Sequence, residues 1–184
     1  MGCAGCDDCP QDAWHLHVTV LESDTTVLEG LIRRHGGKVV RITNVMSDSS
    51  RNYDEIIPTC FFRGSESHAT MRLFQVACEL EQRGFEIARL KIEGDARAVP
   101  TGRALYYEAH LKNLDEWRAG RLPLSINARD EKIWTVRHGD WMTVRNLCDK
   151  LRVESARVEA CVLDTAPELD DEWLRSYERG TVAP

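Results

Sequence analysis

The chain has 184 residues, of which 42% are hydrophobic and 29% charged, and its formal net charge is −6 at pH 7. The hydrophobic fraction is ordinary for a globular protein, and the negative charge disfavours general binding to duplex nucleic acid. No apolar run approaches the length of a membrane span, and the N-terminus lacks the pattern of a secretory signal. Most cysteines lie within apolar segments, which is typical of free thiols, so we expect a cytoplasmic protein without a membrane partner.

Three cysteines lie close together at the start of the chain: Cys3, Cys6 and Cys9. Thiolates at this spacing can converge on one metal ion, so we predict that residues 1–13 form a cysteine-rich tail that binds zinc or an iron–sulfur cluster. A fourth ligand is missing locally, and His15 or His17 could supply it. The alternative is a tail whose cysteines hold no metal.

Residues 14–94 show the hydrophobic pattern of a small α+β unit. In the first predicted strand, Leu16, Val18 and Val20 face one way, while His15, His17 and Thr19 face the other way. A helix, two strands, a second helix and a fourth strand are predicted to follow. The six predicted elements span residues 14–21, 25–35, 38–44, 56–63, 64–84 and 86–93.

The same order of elements is predicted again after a linker at 95–105, which contains Pro100 and Gly102. The second unit, 106–184, begins with a strand in which Glu108, His110 and Lys112 share the polar face. Its elements are predicted at 106–112, 114–120, 123–128, 132–137, 139–152 and 156–163, with a closing helix at 164–177. The predicted fold class is therefore α+β, a tandem duplication of a ferredoxin-like βαββαβ unit.

The polar strand faces and two helix entrances together suggest an anion site. Arg63 precedes one predicted helix N-terminus, and Arg137 precedes the corresponding one in the second unit. Helix N-termini attract anions, so a phosphate group could bind there. We expect a phosphate-bearing small molecule, a nucleotide or an RNA end to bind in a cleft between the two units.

The segment Leu16-His17-Val18-Thr19-Val20 resembles one half of the signature of the 2H phosphoesterases. That family has two similar lobes across a cleft, and each lobe contributes a strand with His-x-Thr or His-x-Ser. The resemblance implies that one histidine acts as general base, the other as general acid, and that the hydroxyls hold phosphate oxygens. His110 would be the second histidine, but Lys112 stands where the second hydroxyl belongs.

The chemistry of such a site can be stated from the residues themselves. Histidine titrates near neutrality, so His17 and His110 suit both proton transfers of phosphodiester cleavage. Cationic or hydroxyl donors must stabilise the charge on the phosphoryl oxygens. An aromatic side chain could stack on a nucleobase of the ligand. The candidate substrate-binding residues are Thr19, Lys112, Arg63, Arg137 and Tyr106.

A second class of function uses the same polar faces without catalysis. A sheet with an open polar face can serve as a ligand-sensing module or as a platform for a protein partner. An acid/base mechanism requires His17 and His110 to reach one phosphate, whereas a binding module does not. The sequence leaves both open, with a phosphodiesterase-type hydrolase as the enzymatic alternative.

Overall fold

The computed structural model describes residues 13–21, 25–45, 52–100, 102–120, 122–153 and 156–166. Eight strands and four helices lie within these ranges. In chain order they are β1 (Ala13–Val20), α1 (Thr25–Arg34), β2 (Lys38–Val45), β3 (Tyr53–Arg63), α2 (Glu66–Gln82), β4 (Ile87–Asp95), β5 (Tyr106–Lys112), α3 (Glu116–Ala119), β6 (Leu124–Asn127), β7 (Lys132–His138), α4 (Trp141–Lys150) and β8 (Val158–Asp164).

The eight strands form one closed antiparallel barrel in the order β1-β3-β2-β6-β7-β5-β8-β4. The first part of the chain, which contains β1 to β4, and the second part, which contains β5 to β8, meet at two seams. At one seam Val45 of β2 pairs with Leu124 of β6, and at the other Asp95 of β4 pairs with Glu159 of β8. Closure leaves no unpaired sheet edge, which removes the risk of edge-to-edge association.

The predicted fold class, a tandem duplication of ferredoxin-like units, is therefore wrong. The order of helices and strands along the chain was predicted correctly, but the eight strands belong to a single barrel with four short helices. The predicted cleft between two lobes does not exist either, because the polar strand faces line the inside of this barrel. The physical reason is the pairing of β2 with β6 and of β4 with β8, which joins the edges that separate sheets would leave open.

The apolar strand faces point outward and are covered by helices. Leu16 and Val18 of β1 pack with Leu28 and Ile32 of α1 and with Leu73 of α2 in one core cluster. A second cluster covers the other part of the barrel, where α4 and the segment around α3 pack on β5, β7 and β8. Alternation along each strand then directs every second residue into the barrel.

The inside of the barrel is polar. Eight buried polar or charged residues occur in the described chain, and alternation and strand register place all of them on the inward face: Thr19, Thr59, Arg89, Glu93, Asp95, Glu108, Arg137 and Glu159. An eight-stranded barrel is just wide enough for its own side chains to fill. Buried charges are costly unless they are paired, so these groups must contact one another.

Several predicted boundaries differ from the observed ones. β3 begins at Tyr53 instead of residue 56, and β4 continues to Asp95, into the predicted linker. Asp164, predicted to start the closing helix, ends strand β8, and the rest of that helix lies outside the described residues. No helix in the described part of the chain has the length and apolar character needed to cross a membrane.

Candidate functional site

A lysine lies at the centre of the polar interior. The Nζ atom of Lys91 is 2.5 Å from Glu93 Oε1 and 2.7 Å from Glu108 Oε1, and the three side chains are almost completely buried. Burial alone would lower the pKa of Lys91, but the two carboxylates outweigh that effect and raise the pKa above its ordinary value. Lys91 is therefore a permanent cation that joins two carboxylates contributed by β4 and β5.

Each of these carboxylates also holds a histidine. His17 Nε2 lies 2.9 Å from Glu93 Oε2, and His110 Nε2 lies 3.1 Å from Glu108 Oε1. The two histidines thus belong to one connected network, with Lys91 between their carboxylate partners. The structure brings together the two residues that were predicted as catalytic.

The other ring nitrogen of each histidine meets a threonine on the neighbouring strand. His17 Nδ1 is hydrogen-bonded to Thr59 Oγ1 at 3.0 Å, and His110 Nδ1 is hydrogen-bonded to Thr135 Oγ1 at 3.2 Å. In both cases the threonine is the direct cross-strand partner of the histidine. A threonine hydroxyl therefore contacts Nδ1 of both rings, and a carboxylate lies close to Nε2 of each, although His17 Nε2 makes no hydrogen bond to Glu93.

Glu108 contacts three basic side chains of the interior, Lys91, His110 and Arg137. Its side chain is fully buried, and Arg137 donates two hydrogen bonds to Oε2, at 2.9 Å from Nε and 2.5 Å from Nη2. Burial would raise the pKa of Glu108, but Lys91 and Arg137 hold it well below its ordinary value. For His110, burial would lower the pKa, and the Glu108 carboxylate outweighs this and raises it.

The far end of the barrel, away from His110, is closed by a second cluster. Arg89 forms a bidentate pair with Asp164, at 2.8 Å from Nε and 2.5 Å from Nη2. The Tyr106 hydroxyl donates to the same carboxylate at 2.7 Å, and the Arg137 guanidinium lies 4.4 Å from the centre of the Tyr106 ring. These contacts satisfy the buried polar groups, so this end of the interior is a structural plug.

Cationic side chains collect at the opposite end, where β4 and β5 finish and β2 begins. Five inward-facing residues form this feature, which we call the basic mouth: His15, Lys38, His110, Lys112 and Arg157. Lys38 is placed there by its pairing with Thr59, and Arg157 by its position two residues before Glu159. The side chain of His110 is 44% exposed and that of Lys112 is 34% exposed, so solvent reaches this end.

Residues of the mouth influence the ionisation of one another and of Glu159. Burial, followed by the charges of Lys112 and Arg129, lowers the pKa of Lys38. Burial would raise the pKa of Glu159, but His15, 3.0 Å away, with further contributions from His110 and Arg157, lowers it to about 2. Glu159 is therefore an anion close to basic side chains of β1, of β5 and of the residue before β8.

The remaining predicted substrate-binding residues are spread over the barrel. Arg63 is exposed at the rim of the basic mouth, and Lys112 belongs to the mouth itself. Thr19 is buried near the far end, where it pairs with Arg89, so the hydroxyl that contacts His17 comes from Thr59 instead. Arg137 and Tyr106 are buried deeper than the mouth, and their polar groups contact protein partners.

The predicted anion sites at the helix entrances are already capped by the protein. Ser65 Oγ accepts a hydrogen bond from the backbone N–H of His68 at the start of α2. The Asp140 carboxylate accepts from the backbone N–H of Thr143 at the start of α4. Each cap occupies one of the first backbone donors of its helix, and the Asp140 carboxylate adds a negative charge that disfavours an anion at α4.

Several site residues were not predicted from the sequence. Glu93 and Glu108 were visible as members of polar strand faces, but nothing in the sequence showed that they contact the two histidines. Thr59 and Thr135 carry no local signal, because their role depends on strand register. Alternation places Lys91 on the polar face of its strand, opposite Ile92, but its bridging position between two carboxylates depends on barrel closure.

The predicted metal site at Cys3, Cys6 and Cys9 lies outside the described residues. Within the described ranges there is no group of three or more histidine, cysteine or acidic side chains arranged to hold a metal ion. His15 and His17, considered as a fourth ligand, contact Glu159 and Glu93 in the barrel. Metal binding by the N-terminal cysteines therefore stays a prediction.

Comparison with protein-family models, with curated proteins and with solved structures gives no match to this chain.

Proposed function

We propose that this protein binds a small phosphate-bearing molecule, such as a nucleotide, at the basic mouth of its barrel. The observation that carries the proposal is the convergence of five inward-facing basic side chains, two lysines, one arginine and two histidines, on one solvent-accessible end, above the buried carboxylates that contact His17 and His110. Cationic donors in a partly desolvated opening favour phosphate oxygens over neutral ligands. The proposal keeps the predicted ligand class and moves its site from a cleft to the barrel mouth.

The geometry favours binding without hydrolysis over phosphodiester cleavage. A general base needs a ring nitrogen that is within reach of the proton to be taken. In this structure Nδ1 of both histidines contacts a threonine hydroxyl, and Nε2 of His110 contacts Glu108. Nε2 of His17 lies 2.9 Å from Glu93 without a hydrogen bond and is buried away from solvent. The 2H phosphoesterase resemblance stays a prediction, and a ligand could use either histidine only after displacing one of these contacts or reaching the buried Nε2 of His17.

Calorimetric titration with inorganic phosphate and a panel of nucleotides tests the binding. We expect wild-type protein to bind at least one of these anions, with weaker affinity at high salt because exposed charges are screened. Lys112→Met should weaken binding by about tenfold or more, the value of a charge-assisted hydrogen bond. Lys132→Met is the matched control, because Lys132 lies nearby on β7 but pairs with Glu116 on the surface.

The same proteins allow hydrolysis to be tested separately. Cyclic phosphodiesters incubated with wild-type protein should stay intact if the site only binds. Turnover that disappears in both His17→Ala and His110→Ala would instead establish the two-histidine mechanism. Absence of binding to every anion of the panel would contradict the proposal. The alternative would then be a non-catalytic module that binds a protein partner.

The predicted cytoplasmic location belongs to the proposal as well. It is supported by the four cysteines of the described ranges, Cys60, Cys78, Cys148 and Cys161, which are all free. Free thiols persist in reducing compartments, whereas secreted proteins tend to pair them.

A further inference from the structure

Arg157 is a cation of the basic mouth whose guanidinium group lacks hydrogen-bond partners at two nitrogen atoms. It lies one residue before β8, and Val158 pairs with Ala109 of β5, so the register places Arg157 beside His110. Its side chain is 26% exposed. The guanidinium group therefore lies between the buried network and the solvent.

Two nitrogen atoms of this guanidinium, Nε and Nη2, are buried and have no hydrogen-bond partner. The nearest carboxylate oxygens belong to Asp95, at 3.8 Å from Nε, and to Glu159, at 3.9 Å. Both distances exceed hydrogen-bond length. Leaving buried donors unsatisfied is costly, so a ligand that accepts from these atoms would recover this free energy.

The two neighbouring carboxylates cannot easily turn toward Arg157, because they are already held. Asp95 accepts two hydrogen bonds from the Arg97 side chain, at 2.9 Å and 3.1 Å. Glu159 lies 3.0 Å from His15. The two buried donors of Arg157 thus have no protein acceptor, and a group that moves into the mouth could supply one.

We propose that Arg157 binds the phosphate group of the ligand at the basic mouth, and that the preferred ligand is a phosphate monoester. This inference rests on the proposed function and adds a ligand class to it. A guanidinium group binds two oxygens of one phosphate side by side. A monoester has three non-bridging oxygens, so two can accept from Arg157 while the third faces another cation of the mouth, whereas a diester has only two.

The test compares methyl phosphate with dimethyl phosphate as probes at constant ionic strength. Binding is followed by the ¹H–¹⁵N signals of the arginine side chains and by calorimetry. In wild-type protein we expect methyl phosphate to bind at least tenfold more tightly than dimethyl phosphate, with the largest shift at the Arg157 Nε signal. The signal is assigned by its absence in Arg157→Lys.

Arg157→Met should weaken methyl phosphate binding by about tenfold or more. Arg157→Lys should lose much of the preference for the monoester, because an ammonium group cannot bind two phosphate oxygens side by side. Arg103→Met is the control, since Arg103 is exposed and pairs with Glu66 outside the barrel. Arg157→Lys keeps the charge, so it remains informative if Arg157→Met does not fold. Unchanged affinity in both Arg157 variants overturns the inference and leaves the proposed function standing, whereas no binding of either probe to wild-type protein overturns both.

Discussion

Lys91 shows how a single residue holds the interior of this barrel together. Two strands, β4 and β5, place Glu93 and Glu108 close to each other, and two carboxylates in a dry interior repel each other strongly. The Lys91 ammonium between them removes that repulsion. A buried ion network of this kind fixes a specific arrangement more than it adds net stability, because each ion is costly to bury.

The first prediction concerns this lysine. Lys91→Met keeps a side chain of similar length but leaves Glu93 and Glu108 without their shared cation. Removing one partner of a buried ion pair leaves an uncompensated charge, so we expect the free energy of unfolding to fall by about 3 kcal/mol. Denaturation with urea measures this change.

The control for Lys91 is Lys132→Met, which removes a lysine whose pair with Glu116 is half exposed. Exposed pairs contribute little to stability, so the unfolding curve of this variant should almost coincide with that of the wild type. If Lys91→Met were as stable as Lys132→Met, the central role of Lys91 would be refuted.

The loop between α1 and β2 shows how local packing places a strand of the site. Gly37 precedes Lys38, the first residue of β2, and an added Cβ at Gly37 would overlap the backbone oxygen of Thr59 and approach Cys60 Sγ to 2.8 Å. Glycine at this position therefore allows β2 to approach β3 closely. This approach brings Lys38 next to Thr59, the partner of His17.

The second prediction compares two glycines of this region. Gly37→Ala should lower the free energy of unfolding by about 1–3 kcal/mol, because overpacking against backbone cannot relax cheaply. Gly30→Ala, on the exposed face of α1 with no heavy atom within 4 Å, should instead raise it by about 0.5–1 kcal/mol through helix propensity. Thermal and urea denaturation of both variants measures the two changes, and effects of the same sign would contradict this account.

The strands themselves could be predicted from the sequence, whereas their pairing could not. Alternation in His15–Val20 and in Tyr106–Lys112 correctly identified two strands and the polar residues on each, because alternation depends only on neighbours in the chain. The pairing of β2 with β6 and of β4 with β8 was not predicted, since no residue pattern specifies which strand edges meet. The partners of the two histidines depend on the same register and were missed for that reason.

Closure of the barrel makes the two parts of the chain depend on each other. Strands β2 and β4 each have one edge that is satisfied only by a strand from the second part, β6 and β8. Open edges and half of a charged interior would be exposed if either part stood alone. The polar network crosses the same seam, because Lys91 of β4 contacts Glu108 of β5.

The third prediction follows from this dependence. The protein should unfold in one cooperative transition, with equal calorimetric and van't Hoff enthalpies. A fragment that ends at residue 100 should not fold as a monomer, although it contains the whole first core cluster. Two separate thermal transitions, or a folded monomeric fragment, would show that the parts are independent.

The last prediction concerns the response of the whole barrel to acid. The pKa of Glu159 is lowered from 4.5 to about 2, and the pKa values of Glu108 and Asp164 are lowered as well. A carboxyl group whose pKa is lowered by folding stabilises the folded state above its unfolded pKa and loses that contribution as pH falls toward its folded pKa. Since one pKa unit corresponds to about 1.4 kcal/mol, Glu159 contributes on the order of 3 kcal/mol, which is lost between about pH 4.5 and pH 2.

Thermal denaturation at a series of pH values tests this account. In wild-type protein the midpoint should fall steeply between pH 4.5 and pH 2, whereas Glu159→Gln should start lower at pH 7 and fall less over the same interval, because its amide cannot take up a proton. Glu116→Gln serves as the control, since Glu116 is exposed and its pair with Lys132 lies outside the barrel. The raised pKa of His110 has the opposite effect on stability. Its stabilising contribution is greatest at low pH and is lost as pH rises through the pKa of the folded state, so His110 cannot cause the loss of stability in acid. A wild-type profile parallel to that of Glu159→Gln would mean that the charge of Glu159 does not stabilise the barrel.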